Sequence, residues 1–414
     1  MTERIEARGS LSPAAAAEAR PLPPVWLMGF GNVPLGAAGA VILVTTPQLL
    51  AANHVPEPKI AAITSIALIP MVVGFPLAPV LDWRLPRRSY AIAFTISAAV
   101  CQFAALLFIH DLAILTTLLF LSFLSVALVV ASVGGWFGNL LADEKKSSLG
   151  AWLTVGNIGA GGLVASVAID LMRGLPAGLG AAALSLPFLA VLPLFLWTRC
   201  PPADHHLAAE SFRAFARDVL ALLRRRSVLW TLPLFLAPSA SFALTNTLGG
   251  LGHDFATPEG LVALLGGAGA TIAGVSASLL IQALAKPVPP RPLYLAVGVV
   301  GALFTLSLIL MARTPTVFGL AMLGENAFQA AAFSVANIII LRTMGHDNPL
   351  AATQFGLLSA AYAVPLVYMQ ILDGSAYGHG GVNGSFFVDA AVSGAACVAL
   401  AIVLRVCRRR IPTI

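Results

Sequence analysis

The sequence predicts an all-α membrane protein whose chain crosses the membrane twelve times. Of the 414 residues, 58% are hydrophobic and only 10% are charged, and the mean hydropathy is +0.89. A soluble domain carries about 25% charged residues, so this chain has too few to cover itself in water. Apolar runs of about 20 residues, the length at which a helix spans the hydrocarbon core, recur along the chain. These runs lack the period-2 alternation of barrel strands, which favours helices.

Polar and charged breaks divide the apolar sequence into twelve predicted spans. The break at 143–146 is well marked by Asp-Glu-Lys-Lys, whereas the break at His110 and Asp111 is weaker. The predicted spans are Val25–Ala51, Ile60–Leu81, Tyr90–Ile109, Leu112–Leu141, Leu149–Ile169, Gly178–Trp197, Val228–Leu251, Leu261–Leu284, Leu293–Met311, Val317–Leu341, Leu350–Leu372 and Phe386–Val406.

The positions of the basic residues predict the orientation, because cytoplasmic loops carry an excess of Lys and Arg. With the N-terminus in the cytoplasm, all of the 24 Lys and Arg residues except Lys59, Arg173 and Arg313 fall in cytoplasmic segments. We therefore expect both termini in the cytoplasm. The same bias accounts for the net charge of +6, so we interpret the basic balance as a topology signal and expect no nucleic-acid partner.

The longest polar interval lies in the middle of the chain and divides the spans into two sets of six. We predict a disordered cytoplasmic tail at 1–24, a six-helix bundle at 25–198, a cytoplasmic linker at 199–227, a second six-helix bundle at 228–407 and a basic cytoplasmic tail at 408–414. Apolar residues at helical spacing over Leu207–Leu223 predict an amphipathic helix on the membrane surface within the linker.

The two sets of six spans show a faint internal repeat. The segment His54–Ile60 follows the first span, and His253–Glu259 follows the seventh, so that Pro58 and Pro258 occupy matching points. Two six-helix repeats related by an axis along the membrane normal are the arrangement of the major facilitator superfamily, which the chain resembles.

The end of the second span resembles the signature that facilitators carry between spans two and three, which is a small residue, an aspartate and clustered arginines. Here Gly74 precedes Asp82, Arg84, Arg87 and Arg88. The resemblance implies a cytoplasmic gate, in which the acid bridges to a basic group or a helix terminus when that side closes. The alternative is that the arginines only anchor the loop on the cytoplasmic side.

One acid, Glu325, lies inside a predicted span. A carboxylate at bilayer depth is costly unless it faces a cavity or finds a partner, so such an acid indicates a functional site. Glu325 shares a helix face with Gln329, and Asn326 follows it directly. We predict that Glu325 carries a proton or anchors the substrate, and that Asn326 and Gln329 donate hydrogen bonds to the substrate. The alternative for all three is hydrogen bonding between helices.

Other residues within the spans are candidates for the wall of a central path. Asn32 lies among Gly29, Gly31 and Gly36 and two residues before Pro34 in span one. A helix interrupted by glycine and proline can unwind at a substrate site, but close helix packing explains the glycines equally well. Trp136 and Phe137 could stack on an aromatic ligand, but core packing is the favoured alternative. Weaker candidates for the wall are Asn157, Asn246, Gln354 and Tyr362.

Several polar residues are predicted to lie near the periplasmic side. Candidates for a gate there are Gln48, Asp373, Tyr377 and His379. Asp170 and Asp389 are expected to be structural acids near the outer interface, where water solvates a carboxylate.

The C-terminal half resembles AmpG-type permeases, which belong to a peptide and acyl-CoA transporter group of the facilitators. The resemblance lies in Gly324–Asn326, in the run Ala352–Ala360 and more loosely in Phe242–Leu244 and Thr271–Gly274. AmpG-type permeases carry charged residues along the substrate path, whereas span five has Asn157 where a basic residue is expected. A cavity without charge suits a muropeptide poorly, because its carboxylates need partners when desolvated.

The length, the AmpG-like C-terminal half and the depleted charges resemble the RhtX/FptX family of single-chain siderophore permeases. That resemblance implies import of a pyochelin- or rhizobactin-type siderophore, as the ferric complex, across a bacterial inner membrane by alternating access, driven by the proton-motive force. It also implies a functional link to an outer-membrane receptor. We expect a monomer in contact with membrane lipids and without a cofactor; the proton is the coupling ion, and iron enters only as part of the substrate.

Other functions fit the sequence less well. The glycine-rich run Gly266–Gly269 lies in an apolar span with no P-loop lysine after it, which argues against ATP-driven transport by this chain. The four cysteines show no disulfide or metal spacing, and no nucleophile–base grouping indicates an enzyme. An AmpG-like muropeptide permease of cell-wall recycling and a facilitator-type efflux pump remain as alternatives.

Overall fold

The computed structural model describes residues 21–201 and 212–407, which form helices and connecting loops without strands. Nine helices in these two ranges are long and apolar enough to cross a membrane, and a bent pair of helices makes a tenth candidate. Residues 1–20 of the predicted N-terminal tail, residues 202–211 of the predicted linker and the predicted basic tail lie outside the described residues.

The first six spans follow one another in chain order. They are span one, Val25–Ala52; span two, Glu57–Val73 with Phe75–Asp82, bent by 49°; span three, Arg87–Leu107; span four, Leu112–Leu140; span five, Asp143–Gly174; and span six, Ala177–Trp197. Pro76 and Pro79 lie in the second part of span two. Proline removes a backbone donor and its ring clashes with the preceding turn, which accounts for the bend.

Among the last six spans, span seven is broken into short helices, and spans eleven and twelve follow each other without a connecting loop. The six are span seven, Arg226–Leu236 with the short helices Ala243–Asn246 and Leu248–Phe255; span eight, Glu259–Leu284; span nine, Pro290–Ile309; span ten, Pro315–Met344; and spans eleven and twelve, 351–380 and 382–406. Gly381, at φ 58° and ψ −152°, breaks the long helix Ala351–Val406 into the last two. With this division, the predicted all-α fold of twelve spans is confirmed.

Span seven is broken because its backbone leaves the helix after Leu236. Ala240 and Phe242 adopt left-handed φ values of 59° and 49°, which are strained for residues with a side chain. The Phe242 ring lies against Gly301 of span nine, where an added Cβ would come within 2.2 Å of it. The break therefore depends on the absence of a side chain in the neighbouring span.

Span one stays helical around Asn32 and does not open into an extended segment. A single 3₁₀ turn, Phe30–Asn32, interrupts it, and a π-helical turn, Val41–Thr45, follows. Glycines bring span one against span five, since a Cβ on Gly36 would lie 1.9 Å from the Asn157 carbonyl oxygen. Gly29 and Gly36 thus allow close packing of span one against span five.

The internal repeat is present, but its register differs from the predicted one. Pro56 is the N-cap residue of span two, and Pro258 is the N-cap residue of span eight. Two residues before each proline, His54 and Ala256 adopt left-handed φ values of 57° and 50°. The structural counterpart of Pro258 is therefore Pro56, so the predicted pairing with Pro58 is wrong by two residues.

The described part of the linker contains a helix, Phe212–Leu223, which enters span seven through Arg224 and Arg225. The amphipathic helix predicted over Leu207–Leu223 begins in residues outside the described ranges.

Candidate functional site

The last residue of span two and the first residue of span three lie together at the first turn of span eleven. Asp82 is fully buried, and its carboxylate accepts hydrogen bonds from the N–H groups of Ala352 (3.2 Å) and Thr353 (2.7 Å) and from the Thr353 hydroxyl (2.6 Å). The Arg87 Nε donates to the same carboxylate at 2.6 Å. The first N–H groups of a helix have no partner within the helix and carry partial positive charge, so a carboxylate is stabilised there.

Arg87 and Asn139 extend this contact to the loop that precedes span eleven. Arg87 donates to the carbonyl oxygens of Asn348 (3.2 Å) and Pro349 (2.7 Å). The Asn139 amide donates to the Asn348 carbonyl at 2.9 Å and accepts from the Asn348 N–H at 3.3 Å. We call the contact of Asp82, Arg87 and Asn139 with residues 348–354 the cytoplasmic gate. It joins the N-terminal half to the C-terminal half at the end rich in basic residues.

Two of the four predicted gate residues lie at the centre of this contact, and two do not. Arg84 is exposed, and its guanidinium lies 4.5 Å from the centroid of the Trp83 ring. Arg88 is half-buried. Asp82 and Arg87 therefore carry the bridge to the helix terminus, while the alternative role of loop anchoring suits Arg84.

A second contact between the halves lies at the start of span five. Lys146 is fully buried, and its Nζ donates to the Gly345 carbonyl oxygen at 2.7 Å and pairs with Asp143 at 2.8 Å. His346 lies 3.3 Å from the other carboxylate oxygen of Asp143. Both contacts reach the loop after span ten, so they close the same side of the molecule as the gate.

A cavity of about 880 Å³, its open mouth included, lies between the two halves. Spans one, two, four and five of the N-terminal half and spans ten and eleven of the C-terminal half form its wall. Within the described ranges the wall contains no Asp, Glu, Lys, Arg or His. Its polar residues are Asn32, Thr154, Asn157, Asn337, Ser359 and Tyr362. We call this space the central cavity.

Tyr362 is a buried wall residue with an unused polar group. It is 5% exposed and packs against Phe333 and Phe235, with ring centroids 4.9 Å and 5.7 Å away. Its hydroxyl has no hydrogen-bond partner within the described part of the chain. Buried polar groups are normally paired, so a ligand in the central cavity could supply the missing partner.

Three of the predicted binding residues, Asn32, Asn157 and Tyr362, meet in the central cavity. Sequence reasoning missed Asn337, whose amide donates to the Thr154 hydroxyl across the two halves at 3.2 Å. The signal that singled out Asn326, an amide within an apolar span, was also present at Asn337.

Trp136 and Phe137 do not reach the central cavity. Both are fully buried, and both pack against Phe195, with ring centroids 5.9 Å and 6.4 Å away. The Trp136 Nε1 donates to the Arg199 carbonyl oxygen at 2.8 Å. We therefore assign both residues to packing of the N-terminal half and correct the prediction that they stack on a ligand.

Gln354 and Asn246 also lie away from the cavity wall. Gln354 is fully buried behind the gate, where it accepts from the Asn348 side chain at 2.8 Å and donates to the Thr343 carbonyl at 3.1 Å. Asn246 is exposed, and its amide lies 3.4 Å from the Gln370 oxygen. Gln354 stabilises the loop that the gate holds, so its predicted role in substrate binding is corrected.

Glu325 and its neighbours lie inside the bundle of the C-terminal half. Glu325 is fully buried and accepts a hydrogen bond from the Thr305 hydroxyl of span nine at 2.5 Å. Gln329 donates to the Phe242 carbonyl oxygen at 3.1 Å and to the Thr245 hydroxyl, which ties it to the break in span seven. The Asn326 amide bonds within its own helix. None of the three lines the central cavity, so direct contact with a substrate there is corrected for all of them.

Two acids expected near the outer surface are buried instead. Asp373 is 1% exposed and Asp389 is 2% exposed, whereas Asp170 is exposed as expected. Asp373 lies in span eleven and Asp389 in span twelve. Both were placed by their distance from the span ends, but the packing of these two spans against neighbouring helices removes the two aspartates from water.

The family of the chain follows from a comparison with known protein families. Residues 28–365 match the family described as Major Facilitator Superfamily. The chain belongs to the major facilitator superfamily. It is therefore a secondary transporter of a small-molecule substrate and not an enzyme, and it is a multi-pass membrane protein.

Solved facilitator structures resemble this facilitator over nearly its whole length. The proton:xylose symporter XylE aligns with a TM-score of 0.71 and 14% identity, covering 94% of this chain and 95% of that one. The human organic anion transporter MFSD10 (TETRAN) gives 0.68 and 16%, covering 91% and 100%. A bacterial homologue of the iron transporter ferroportin gives 0.63 and 16%, covering 93% and 99%. At these identities the likeness concerns the fold alone. No curated protein matches the sequence.

Proposed function

We propose that this facilitator imports a siderophore of the pyochelin or rhizobactin kind, as its ferric complex, across a bacterial inner membrane. The observation that supports this proposal is the wall of the central cavity, in which the described residues are uncharged and combine amides with aromatic rings. A pyochelin-like complex is aromatic and weakly charged, so it needs few charged partners when it leaves water.

The cytoplasmic gate fits an alternating-access cycle. In the conformation described, Asp82 holds the first turn of span eleven, so the substrate reaches the central cavity from the opposite side. For release to the cytoplasm, the halves tilt and Asp82 separates from span eleven. Because breaking a buried ionic contact is strongly unfavourable, substrate binding and protonation must favour the open state by their differential interactions.

We further propose that Glu325 couples the transport to the proton gradient. A buried carboxylate with one unpartnered oxygen is more stable with a proton than without one. Gln329 lies one helical turn from Glu325 and donates a hydrogen bond to the Phe242 carbonyl oxygen in the break of span seven. A change of charge at Glu325 therefore acts close to the strained backbone of Phe242, and this strained segment is where we expect the conformational change.

The runner-up substrate is a muropeptide. Its carboxylates need basic partners when they are desolvated, and the described cavity wall offers none, so the same observation disfavours it. Efflux is the other alternative, because the facilitator fold does not fix the direction of net transport.

Uptake of radiolabelled iron, supplied as ferric pyochelin, tests the proposal in cells with the chain and with an empty vector. We expect accumulation that requires the chain and disappears with a protonophore. Iron supplied as ferric citrate is the control for unrelated iron uptake. Equal accumulation with and without the chain contradicts siderophore import, and faster loss of preloaded label with the chain indicates efflux. Labelled muropeptide, tested in parallel, separates the runner-up.

A further inference from the structure

Three buried carboxylates belong to the bundle of the C-terminal half, away from the central cavity. Glu325 of span ten, Asp373 of span eleven and Asp389 of span twelve are 0%, 1% and 2% exposed. The Thr305 hydroxyl of span nine donates to Glu325 at 2.5 Å, and Asp373 and Asp389 lie at equal distances along the chain from the break at Gly381, on two consecutive spans. We call these three residues the acid cluster.

Most oxygens of the acid cluster have no partner within the described ranges. One Glu325 oxygen accepts from Thr305, but the other has no hydrogen bond, and neither Asp373 oxygen nor Oδ1 of Asp389 has one. These four oxygens therefore have no cation as a hydrogen-bond partner in the described part of the chain. Each unpaired buried charge costs several kcal/mol, so the cluster cannot hold three negative charges.

The packing of spans nine and twelve gives the position of Asp389. A Cβ on Gly298 would lie 2.5 Å from the Cys397 sulfur, and a Cβ on Gly394 would lie 3.5 Å from Ala302. These two contacts fix the register of an antiparallel pair, and the same register brings Thr305 within one turn of Asp389. Thr305 is the residue that binds Glu325, so Glu325 and Asp389 face one seam of the bundle.

A fourth polar group in this seam also lacks a partner. Ser393 is 5% exposed, and its hydroxyl has no hydrogen bond within the described part of the chain. It lies one helical turn from Asp389, on the face that packs against span nine. A hydroxyl of this kind can donate to a carboxylate or accept from a protonated acid, so it adds an independent proton-binding partner to the seam.

The charged and titratable groups of the surrounding elements leave the acid cluster without a cation. Arg313, in the loop before span ten, donates to Asn383 and lies 4.8 Å from the centroid of the Phe255 ring. Asp254 of span seven accepts from Tyr377 of span eleven. Further along the same elements lie His253, Arg291, Tyr294, Arg342, Tyr362, Tyr368, His379, Cys397 and Arg405. The three arginines belong to the far ends of spans nine, ten and twelve, roughly 20 Å or more along their helices from Thr305, Glu325 and Asp389.

The acid cluster does not have the arrangement of a metal site. In the described ranges, no group of three or more His, Cys, Asp or Glu side chains is placed to hold a metal ion. Protons are then the ligands that fit, because a proton needs only one oxygen and can pass between neighbouring acids.

The break at Gly381 gives the cluster a route to the outer side. Asp373 and Asp389 each lie eight residues from Gly381, which places both about 12 Å from the break. Residues 374–380 are exposed except for the half-buried Ala376, so Asp373 is the first buried residue below an accessible end. Glu325 lies deeper in the bundle, next to Gln329 and the break of span seven.

We propose that Asp373 and Asp389 bind the transported proton and pass it to Glu325, along a route inside the C-terminal half that is separate from the substrate cavity. This inference rests on the proposed proton coupling. It implies that proton binding affects substrate binding through a movement of span seven and the tilt of the two halves, and not through contact between the proton site and the substrate.

Infrared difference spectroscopy of the purified protein tests the inference without a transported substrate. Spectra recorded between acidic and alkaline pH report the carbonyl stretch of protonated carboxyl groups. We expect the wild-type protein to lose a band of buried protonated carboxyls as the pH rises. Asp373→Asn, Asp389→Asn and Glu325→Gln should each remove part of this band, whereas Asp170→Asn, an exposed acid in span five, should leave it unchanged.

Conservative variants keep the test decisive if an asparagine variant fails to fold. Asp373→Glu and Asp389→Glu should retain the band at a shifted frequency. An unchanged band in both aspartate variants overturns the relay, because Glu325 then acts alone. If the infrared band titrates as expected but the chain takes up no siderophore, the proposed substrate is wrong and the proposed relay still stands.

Discussion

The two halves of the molecule share one fold but place their acids differently. In the N-terminal half, Asp82 lies four residues before Pro86, the N-cap of span three, and closes the gate. In the C-terminal half, Ala285 lies four residues before Pro289, the N-cap of span nine. The C-terminal half instead buries Glu325, Asp373 and Asp389 within its bundle. The comparison teaches that the N-terminal half uses its buried acid to bind the other half at the gate, whereas the buried acids of the C-terminal half are left largely unpaired, where we propose that they bind protons.

The strongest way to break this comparison is to remove the charge at the gate. In Asp82→Asn, Arg87 loses its ionic partner and the first turn of span eleven loses its carboxylate. Breaking a buried ion pair costs about 3–5 kcal/mol, so we expect the equilibrium to shift toward the cytoplasm-open state by about 100-fold or more.

The shift is measured by labelling Ser359→Cys, a cavity residue, with an impermeant maleimide in inside-out vesicles. The four native cysteines are first replaced by serine. Arg84→Gln is the matched control, since Arg84 is exposed and lies over Trp83 in the same loop. Unchanged labelling in Asp82→Asn, or equal labelling in both variants, contradicts the assignment of the gate.

A smaller effect, on protein stability, is expected from Gln329, which forms hydrogen bonds to the broken part of span seven. Gln329→Ala leaves the Phe242 carbonyl and the Thr245 hydroxyl without this donor, which should lower the free energy of unfolding by about 1–3 kcal/mol. Asn326→Ala is the control, because the Asn326 amide bonds only within its own helix. Thermal unfolding of both variants checks the difference, and equal destabilisation would remove the special role of Gln329.

Removal of one hydroxyl from the wall of the central cavity distinguishes a role in substrate binding from a role in core packing. Tyr362→Phe should raise the KM for uptake by about 2- to 10-fold, because the substrate loses one hydrogen bond, while the stability of the protein stays the same or rises. Tyr294→Phe is the control, since Tyr294 is buried beside Tyr362 but does not line the cavity. A KM that responds equally to both changes argues against a bond from Tyr362 to the substrate.

The smallest effect on transport is expected at Trp136. Trp136→Phe loses the hydrogen bond to the Arg199 carbonyl, and we expect about 1 kcal/mol of lost stability with an unchanged KM. Unfolding and uptake measurements on the same preparation check both parts. A raised KM with normal stability would return Trp136 to the list of ligand contacts.

Hydropathy and the positions of basic residues predicted the twelve spans, because crossing a membrane imposes length and polarity on every helix. The resemblance to the facilitator signature also implied that Asp82 bridges to a basic group or a helix terminus, and Asp82 makes both contacts. The identity of that terminus, at Thr353, depends on tertiary contacts between residues 271 positions apart. Sequence separation of this size leaves no local signal.

The residues that were misplaced share one physical cause. Trp136, Gln354 and Asp389 were assigned from residue type and depth, but the face that each presents depends on how the helices pack. Glu325 was found because an acid within an apolar span is conspicuous whichever way it faces. Asp373 and Asp389 lie closer to span ends, where composition alone cannot distinguish a buried acid from a solvated one.

The most direct test of the central claim is proton movement during substrate uptake in proteoliposomes without an imposed gradient. A pH indicator in the external medium reports alkalinisation when ferric pyochelin enters with protons. We predict alkalinisation for the wild type and for Asp170→Asn, and none for Glu325→Gln, which should still exchange labelled for unlabelled substrate across the membrane. Alkalinisation by Glu325→Gln at the wild-type rate would contradict the account, because the proton would then travel by another route.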